Sequence, residues 1–145
     1  TNKDFYFKRD GILTYLGDTN LSYSPELVIG NVLIYKTSDN LSLSFLTKII
    51  GDQYMSNIDS ANSKLDSYSV SDLNVSYQLN PTLGLKTITI NLLVNNILDK
   101  KYISNGYFYT YEDNWTNSDS IKTIEGAGYY PQAGINFILG LTIDF

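Results

Sequence analysis

Hydrophobic and polar positions alternate with a period of two through most of the chain, and the closing segment shows the pattern most cleanly. There Phe137, Leu139, Leu141, Ile143 and Phe145 fall on one face, against Asn136, Ile138, Gly140, Thr142 and Asp144 on the other. Successive strand side chains point to opposite faces, so this is an apolar wall backed by a mostly polar one. Residues 85–98 repeat it, with Ile88, Ile90, Leu92 and Val94 opposite Thr87, Thr89 and Asn91. In residues 68–79, Leu73, Val75, Tyr77 and Leu79 oppose Asp72, Asn74, Ser76 and Gln78, and in residues 41–51, Leu41, Leu43, Phe45 and Ile49 oppose Ser42, Ser44 and Lys48. A run over residues 27–35, opened by Pro25, is apolar on both faces, and Pro is tolerated where a strand begins. Residues 1–20 are charged and Gly-punctuated and predict a loop or a frayed hairpin end.

The connections between these strands alternate in length. Ser38-Asp39-Asn40 and residues 80–84 predict short turns. Residues 55–66 are a longer polar loop, and residues 99–131 a long connection, rich in Tyr and holding the single Trp. Long connections of this kind are usually functional or disordered. Short turns therefore lie at one end of the sheet and long loops at the other. That sorting, with strands of about 10 residues, matches a bacterial outer-membrane barrel, whereas a sandwich has no reason to sort its loops. Tyr35, Tyr77 and Phe145 near the short-turn ends, and Tyr54, Tyr68, Tyr102 and Tyr130 near the long-loop ends, are placed as two interfacial girdles.

Composition narrows the function classes. Charged residues make up 17% of the 145 residues, below the roughly 25% of ordinary soluble domains. Thirteen Tyr with many β-branched residues favour strands over helices. A net charge of −5 argues against a nucleic-acid partner, which needs a basic footprint. Cys and His are both absent, which removes thiolate and imidazole metal ligands and the usual nucleophile and general base. No paired-carboxylate or Ser–Lys motif stands out, so the sequence does not point to an enzyme or to a bound cofactor. No run approaches the roughly 20 apolar residues of a membrane-spanning helix, and the first residues lack the pattern of a signal peptide.

Several segments carry a resemblance. Val94-Asn95-Asn96-Ile97-Leu98-Asp99-Lys100-Lys101-Tyr102, then residues 129–140 beginning Tyr129-Tyr130-Pro131-Gln132-Ala133-Gly134, and the terminal Phe145 resemble the C-terminal end of TonB-dependent outer-membrane receptors. Ser24-Pro25-Glu26 before a strand and Lys48-Ile49-Ile50-Gly51-Asp52-Gln53-Tyr54 agree with it, so the likeness covers residues 22–145. Where the family often has Pro and a basic residue, this chain has Gly134-Ile135.

The resemblance implies an all-β fold, an antiparallel transmembrane β-barrel fragment of about five strands, the last of a barrel of about 22 around an N-terminal plug. Residues 1–145 are then the C-terminal segment, with residues 1–21 an external loop and the plug and TonB-contacting segment outside this sequence. Five strands alone do not close a membrane barrel, for which about eight is the practical minimum. The implied function is TonB-energised uptake of a scarce small-molecule ligand of the ferric siderophore, cobalamin or glycan class, in the bacterial outer membrane. The implied partners are outer-membrane lipid, the receptor's own plug, the TonB complex and the barrel-assembly machinery, which reads the final strand. Two alternatives stay open: a soluble secreted β-sandwich binding module, and a passive outer-membrane barrel without a plug.

The candidate ligand-binding residues are Tyr107, Tyr109, Tyr111 and Trp115, whose rings suit stacking or a cation against their faces. Packing between loops or anchoring at lipid headgroups would use the same rings. Phe137, Leu139, Leu141, Ile143 and Phe145 are the candidate lipid-facing and assembly-signal residues. Glu112-Asp113-Asn114 with Asn117 and Asp119 offers oxygen donors but lacks an EF-hand's spacing, so a solvated acidic loop is expected and no metal site. Lys48, Asp72 and Asp144 are expected on the polar, lumen-side face, and Asn95 and Asn96 are expected to satisfy backbone groups at a strand end.

Overall fold

The computed structural model describes residues 1–81, 86–116 and 120–145. The chain is all-β and antiparallel, with no α-helix among the described residues. It divides into two compact units: Thr1–Leu27, Gly51–Ser67 and Tyr102–Gln132 form the first, and Val28–Ile50, Tyr68–Lys101 and Ala133–Phe145 the second.

The strands are β1 (Asn2–Arg9), β2 (Ile12–Thr19), β3 (Val28–Ser38), β4 (Leu41–Ile50), β5 (Gln53–Tyr54), β6 (Lys64–Leu65), β7 (Tyr68–Leu79), β8 (Thr87–Asn95), β9 (Ile103–Asp113), β10 (Lys122–Pro131) and β11 (Asn136–Asp144). The second unit is one five-stranded sheet in the order β11-β8-β7-β4-β3, so the five expected strands form one meander. Its outer strands β3 and β11 do not pair with each other, and no closed barrel forms among the described residues.

Register decides what the sheet presents. Residues directly opposite one another share a face, so the pairs Leu33↔Phe45, Phe45↔Leu73, Leu73↔Val94 and Val94↔Phe137 run one apolar row across all five strands. A second row runs Tyr35↔Leu43, Leu43↔Val75, Val75↔Leu92 and Leu92↔Leu139. Aligned pairs of this kind contribute roughly 0.2–1 kcal/mol each and resist a one-residue slip, which would turn the whole apolar set over. The opposite face carries Lys48, Asp72 and Asp144 together with Ser44, Asn74, Asn91 and Gly140. The three charges thus share the polar face, as expected.

The sorting of connections is also seen. The turn at residues 39–40 and the facing ends of β7 and β8, where Leu79 pairs with Ile88, lie at one end of the sheet. Residues 51–67 and 96–135 depart and return at the other, where Val28↔Ile50, Ile50↔Tyr68 and Asn95↔Asn136 pair. Residues 82–85, which hold part of the expected turn at 80–84 and the expected start of the fourth strand, lie outside the described residues. The girdles are only half realised on this sheet. Tyr35 and Tyr77 sit on the apolar face near the short turns, but Tyr68 lies with the polar set, and Tyr54, Tyr102 and Tyr130 belong to the first unit.

The first unit corrects three expectations of irregular chain. Residues 1–20 are a hairpin, β1–β2, closed by Asp10 and Gly11 with φ of 53° and 76°. Two positive φ values match the twist of a two-residue hairpin turn, and Asp-Gly adopts them readily. Residues 99–131 are mostly a second hairpin, β9–β10, paired from Ile103↔Pro131 to Asp113↔Lys122. Residues 55–66 hold a 3-10 turn, η1 (Ala61–Ser63), capped by the Ser60 hydroxyl, and lead into the two-residue ladder β5–β6. Met55 and Leu65 are buried in this unit, with Thr19 and Ser63.

Candidate functional site

The β9–β10 hairpin has two unlike faces. On one, the side chains of Glu112, Thr123, Glu125 and Tyr129 bind neighbouring elements of the first unit. Lys8 Nζ donates to Glu112 at 2.8 Å, and Arg9 donates to Glu125 at 3.1 Å. Glu125 also accepts from the Ser60 hydroxyl and from Asn62 Nδ2. Thr123 and Asp10 exchange two backbone-to-side-chain bonds of 2.7 Å, and the Tyr129 hydroxyl donates to the Asn62 carbonyl at 2.9 Å. Each exposed ion pair contributes little alone, but together these bonds hold one face of the hairpin at several points.

The other face carries the four aromatic residues singled out from the sequence, and the structure brings all four together. Tyr107 and Tyr109 have ring centroids 6.3 Å apart with planes 15° from parallel, and Tyr109 and Tyr111 follow at 6.4 Å and 14°. Trp115 continues the row beside Tyr111, at 5.7 Å and 6°. Tyr130, from β10, closes the other end at 6.1 Å from Tyr107 but tilted by 50°. Trp115 is the most open of these rings, 69% exposed, and Tyr109 is 51% exposed.

Why the rings lie in this way follows from the facing strand. Tyr107 is opposite Gly128, and Tyr109 is opposite Gly126. A Cβ added at Gly128 would overlap the Tyr107 ring, and one at Gly126 would overlap the Tyr109 ring. Each phenol therefore lies across the bare backbone of the opposite glycine, and the rings sit side by side along the hairpin. Large rings over cross-strand glycines fill the gap that a missing side chain leaves. Gly126, Gly128 and Tyr130 were not among the expected site residues. The signal was available in the Gly126-Ala127-Gly128 alternation facing Tyr107-Phe108-Tyr109.

At the open end of the row the chain turns through Asp113. Its Oδ1 accepts from the backbone N–H of Trp115 at 3.2 Å and of Thr116 at 3.1 Å. Hydrogen bonding from Thr116, then from Trp115, holds the Asp113 carboxyl below the usual aspartate range, with Lys122 adding to it. Asp113 thus fixes where Trp115 leaves the strand. Glu112 is occupied by Lys8 and by the Gly11 N–H, so the expected oxygen donors do not converge at these residues. Asn117 and Asp119 lie outside the described residues.

In the second unit, Phe137, Leu139, Leu141 and Ile143 lie in a line along β11 on the apolar face, and Phe145 follows the strand's last residue. Phe137 is 76% and Leu139 69% exposed, and Phe145 is exposed as well. No helix among the described residues is long and apolar enough to cross a membrane, which does not bear on crossing by strands. Comparison of the chain with protein-family models, with curated proteins and with solved structures returns no match.

Proposed function

We propose that the five-stranded sheet is a lipid-facing portion of an outer-membrane β-barrel, and that the chain belongs to a receptor for TonB-energised uptake of a scarce ligand. The observation that carries the first half is the apolar face itself: it is continuous across five strands, backed by a polar face, and left open on the outermost strand. Strands of 9 to 12 residues match the roughly 9–11 residues of a tilted membrane strand. A polar face bearing Lys48, Asp72 and Asp144 suits a hydrated lumen. The second half rests on the resemblance of residues 94–102 and 129–140, with long connections confined to one end of the sheet. The aromatic hairpin then belongs to the external vestibule.

A soluble binding module with the same sheet would need a second apolar layer, and the described residues of the second unit form one sheet. The test is a pair of adjacent substitutions on β11, Leu141→Arg and Thr142→Arg, in protein refolded into phospholipid vesicles. Arginine on the lipid face of a membrane strand costs roughly 2–4 kcal/mol near mid-depth and much less on the lumen face. Leu141→Arg is therefore expected to abolish or strongly weaken insertion, and Thr142→Arg to be tolerated. Equal effects of the two, or a protein that stays monomeric in buffer without detergent or lipid, would sink the wall reading. Ligand uptake that persists after the proton gradient is collapsed would favour a passive barrel.

A further inference from the structure

We propose that the open face of the β9–β10 hairpin is a binding platform for a neutral sugar chain, whose pyranose rings stack their C–H faces on Tyr107, Tyr109, Tyr111 and Trp115. This names the ligand class of the proposed uptake function, and it rests on that reading for the ligand's passage through a barrel but not for the binding itself. Three observations select the ligand.

The first is order. The Tyr107 and Tyr109 rings are held over Gly128 and Gly126, so their faces are set before any ligand arrives. Preorganised rings lose little freedom on binding, which raises affinity without new contacts. The second is charge. Between Asn105↔Tyr130 and Tyr111↔Ile124 this face carries no ionisable group other than the phenols. Glu112 and Glu125 sit on the opposite face against Lys8 and Arg9, and Asp113 faces Lys122 at the far end. The nearest cation that β9 and β10 place on this face is Lys122, opposite Asp113 beyond Tyr111. The stretch from Tyr107 to Tyr111 itself therefore offers neither a cation for a carboxylate, phosphate or anionic iron chelate nor a carboxylate cage for an ammonium group. The third is extent. Tyr107 to Tyr111 spans about 13 Å of strand at roughly 3.4 Å per residue, and Trp115 prolongs the row. One flat ring needs one aromatic partner, whereas a line of four suits a ligand that is itself a line of rings. A sugar chain offers apolar C–H patches to the rings and hydroxyls to the phenol oxygens and to the Asn105 amide at the near end. Its hydroxyls stay in water on the outer side, so nothing polar is buried without a partner.

The experiment is titration of the detergent-solubilised protein with cellohexaose, maltohexaose, mannohexaose and chitohexaose, read by Trp115 fluorescence and by calorimetry. Saturable binding of at least one hexasaccharide is expected, with the matching monosaccharide weaker by about tenfold or more. Tyr109→Ala is expected to weaken that hexasaccharide by about tenfold, equivalent to about 1.4 kcal/mol. Gly126→Ala is the sharper variant, because it keeps every ring yet forces Tyr109 off its seat, and it should weaken binding to a similar degree. Thr110→Ser, on the opposite face, should leave affinity unchanged and serves as the folding control. Four hexasaccharides that all fail to bind overturn the proposal, as does binding that survives both Tyr109→Ala and Gly126→Ala. Ring-dependent binding of 2,3-dihydroxybenzoate in place of the sugars overturns it in favour of an anionic aromatic ligand. Failed sugar binding by protein that still inserts into vesicles removes this proposal alone, and sugar binding by protein that fails to insert removes the barrel reading alone.

Discussion

Asn96 shows how much of this fold turns on single polar side chains at strand ends. It sits just past β8 with a φ of 50°, a left-handed conformation that Asn tolerates better than most residues. Its Nδ2 donates to the carbonyls of Lys100 and Ala133, its Oδ1 accepts from the Lys100 N–H, and its own N–H donates to Asp72. The side chain is nearly fully buried. One residue thus closes the tight 96–100 loop and ties it to the chain entering β11. Its neighbour Asp99, also at positive φ, does similar work by accepting from the Ile135 N–H, close against Gly134. Asn96→Ala removes three part-buried hydrogen bonds to the backbone of Lys100 and Ala133, each contributing about 0.5–1.5 kcal/mol. We expect a loss of that order or more in urea unfolding of the detergent-solubilised protein, and an unchanged midpoint would refute the role. The role of Asn96 was legible in the sequence, because an Asn pair at the end of an apolar alternation has few other uses. Gly126 and Gly128 were not, because their function depends on which residues stand opposite them, and register between distant segments is not written locally.

At the scale of elements, the long strands were legible and the short-range hairpins were missed. The apolar alternation at 41–51, 68–79 and 136–144 is a direct image of a sheet with one polar face, so β4, β7 and β11 follow from it. The β1–β2 and β9–β10 hairpins carry few aliphatic residues, and their stability comes from rings, ion pairs and turn geometry. Asp10-Gly11 between an aromatic-rich run and one holding Ile12, Leu13, Tyr15 and Leu16 was the readable sign of the first, and the Tyr107-Tyr109-Tyr111 alternation of the second. The smallest element, the β5–β6 ladder, is held by charge. Lys64 Nζ lies 2.7 Å from Asp52, whose other oxygen accepts from the Ser67 N–H at 2.7 Å. The Lys64 hydrogen bond, then the Ser67 N–H, pulls the Asp52 carboxyl below the ordinary aspartate range, and Asp52 raises Lys64 above the ordinary lysine range. A depressed aspartate contributes stability that is present above its unfolded pKa and lost as pH falls through the folded one. A raised lysine contributes stability present below its unfolded pKa and lost as pH rises through the folded one. The clasp therefore holds across neutral pH and opens at both extremes. In an NMR titration the Asp52 carboxyl should show a midpoint below that of an unpaired aspartate, and Lys64→Met should move it upward. A midpoint indifferent to Lys64 would refute the clasp.

For the whole molecule, the unresolved demand is at the sheet's two edges. In a lipid wall, every backbone N–H and C=O at membrane depth must be paired, and each unpaired group costs several kcal/mol. The outward edges of β3 and β11 have no partner strand among the described residues. Parity restricts how that demand can be met. Neighbours in the sheet are antiparallel, so with five strands β3 and β11 run in the same direction. Copies joined head to tail would place β3 of one against β11 of the next as a parallel pair, which an antiparallel barrel does not contain. Further strands of the same polypeptide can satisfy both edges in an antiparallel sense. Copies of this chain can do so only through twofold contacts, β3 on β3 and β11 on β11, each matching a patch with itself. We therefore expect the 145-residue chain, solubilised in detergent by itself, to form even-numbered assemblies rather than monomers or rings of odd number. Gly140→Cys, at the midpoint of β11 and on its polar face where an added Cβ meets only ordinary contacts, should cross-link to its own copy under mild oxidation, while Thr89→Cys on the inner strand β8 should not. In a longer polypeptide whose additional strands cover β11, the same cysteine at position 140 should stay reduced. Monomers in detergent whose β3 and β11 amides all exchange rapidly would show that these edges tolerate solvent, and the sheet would then not lie at membrane depth.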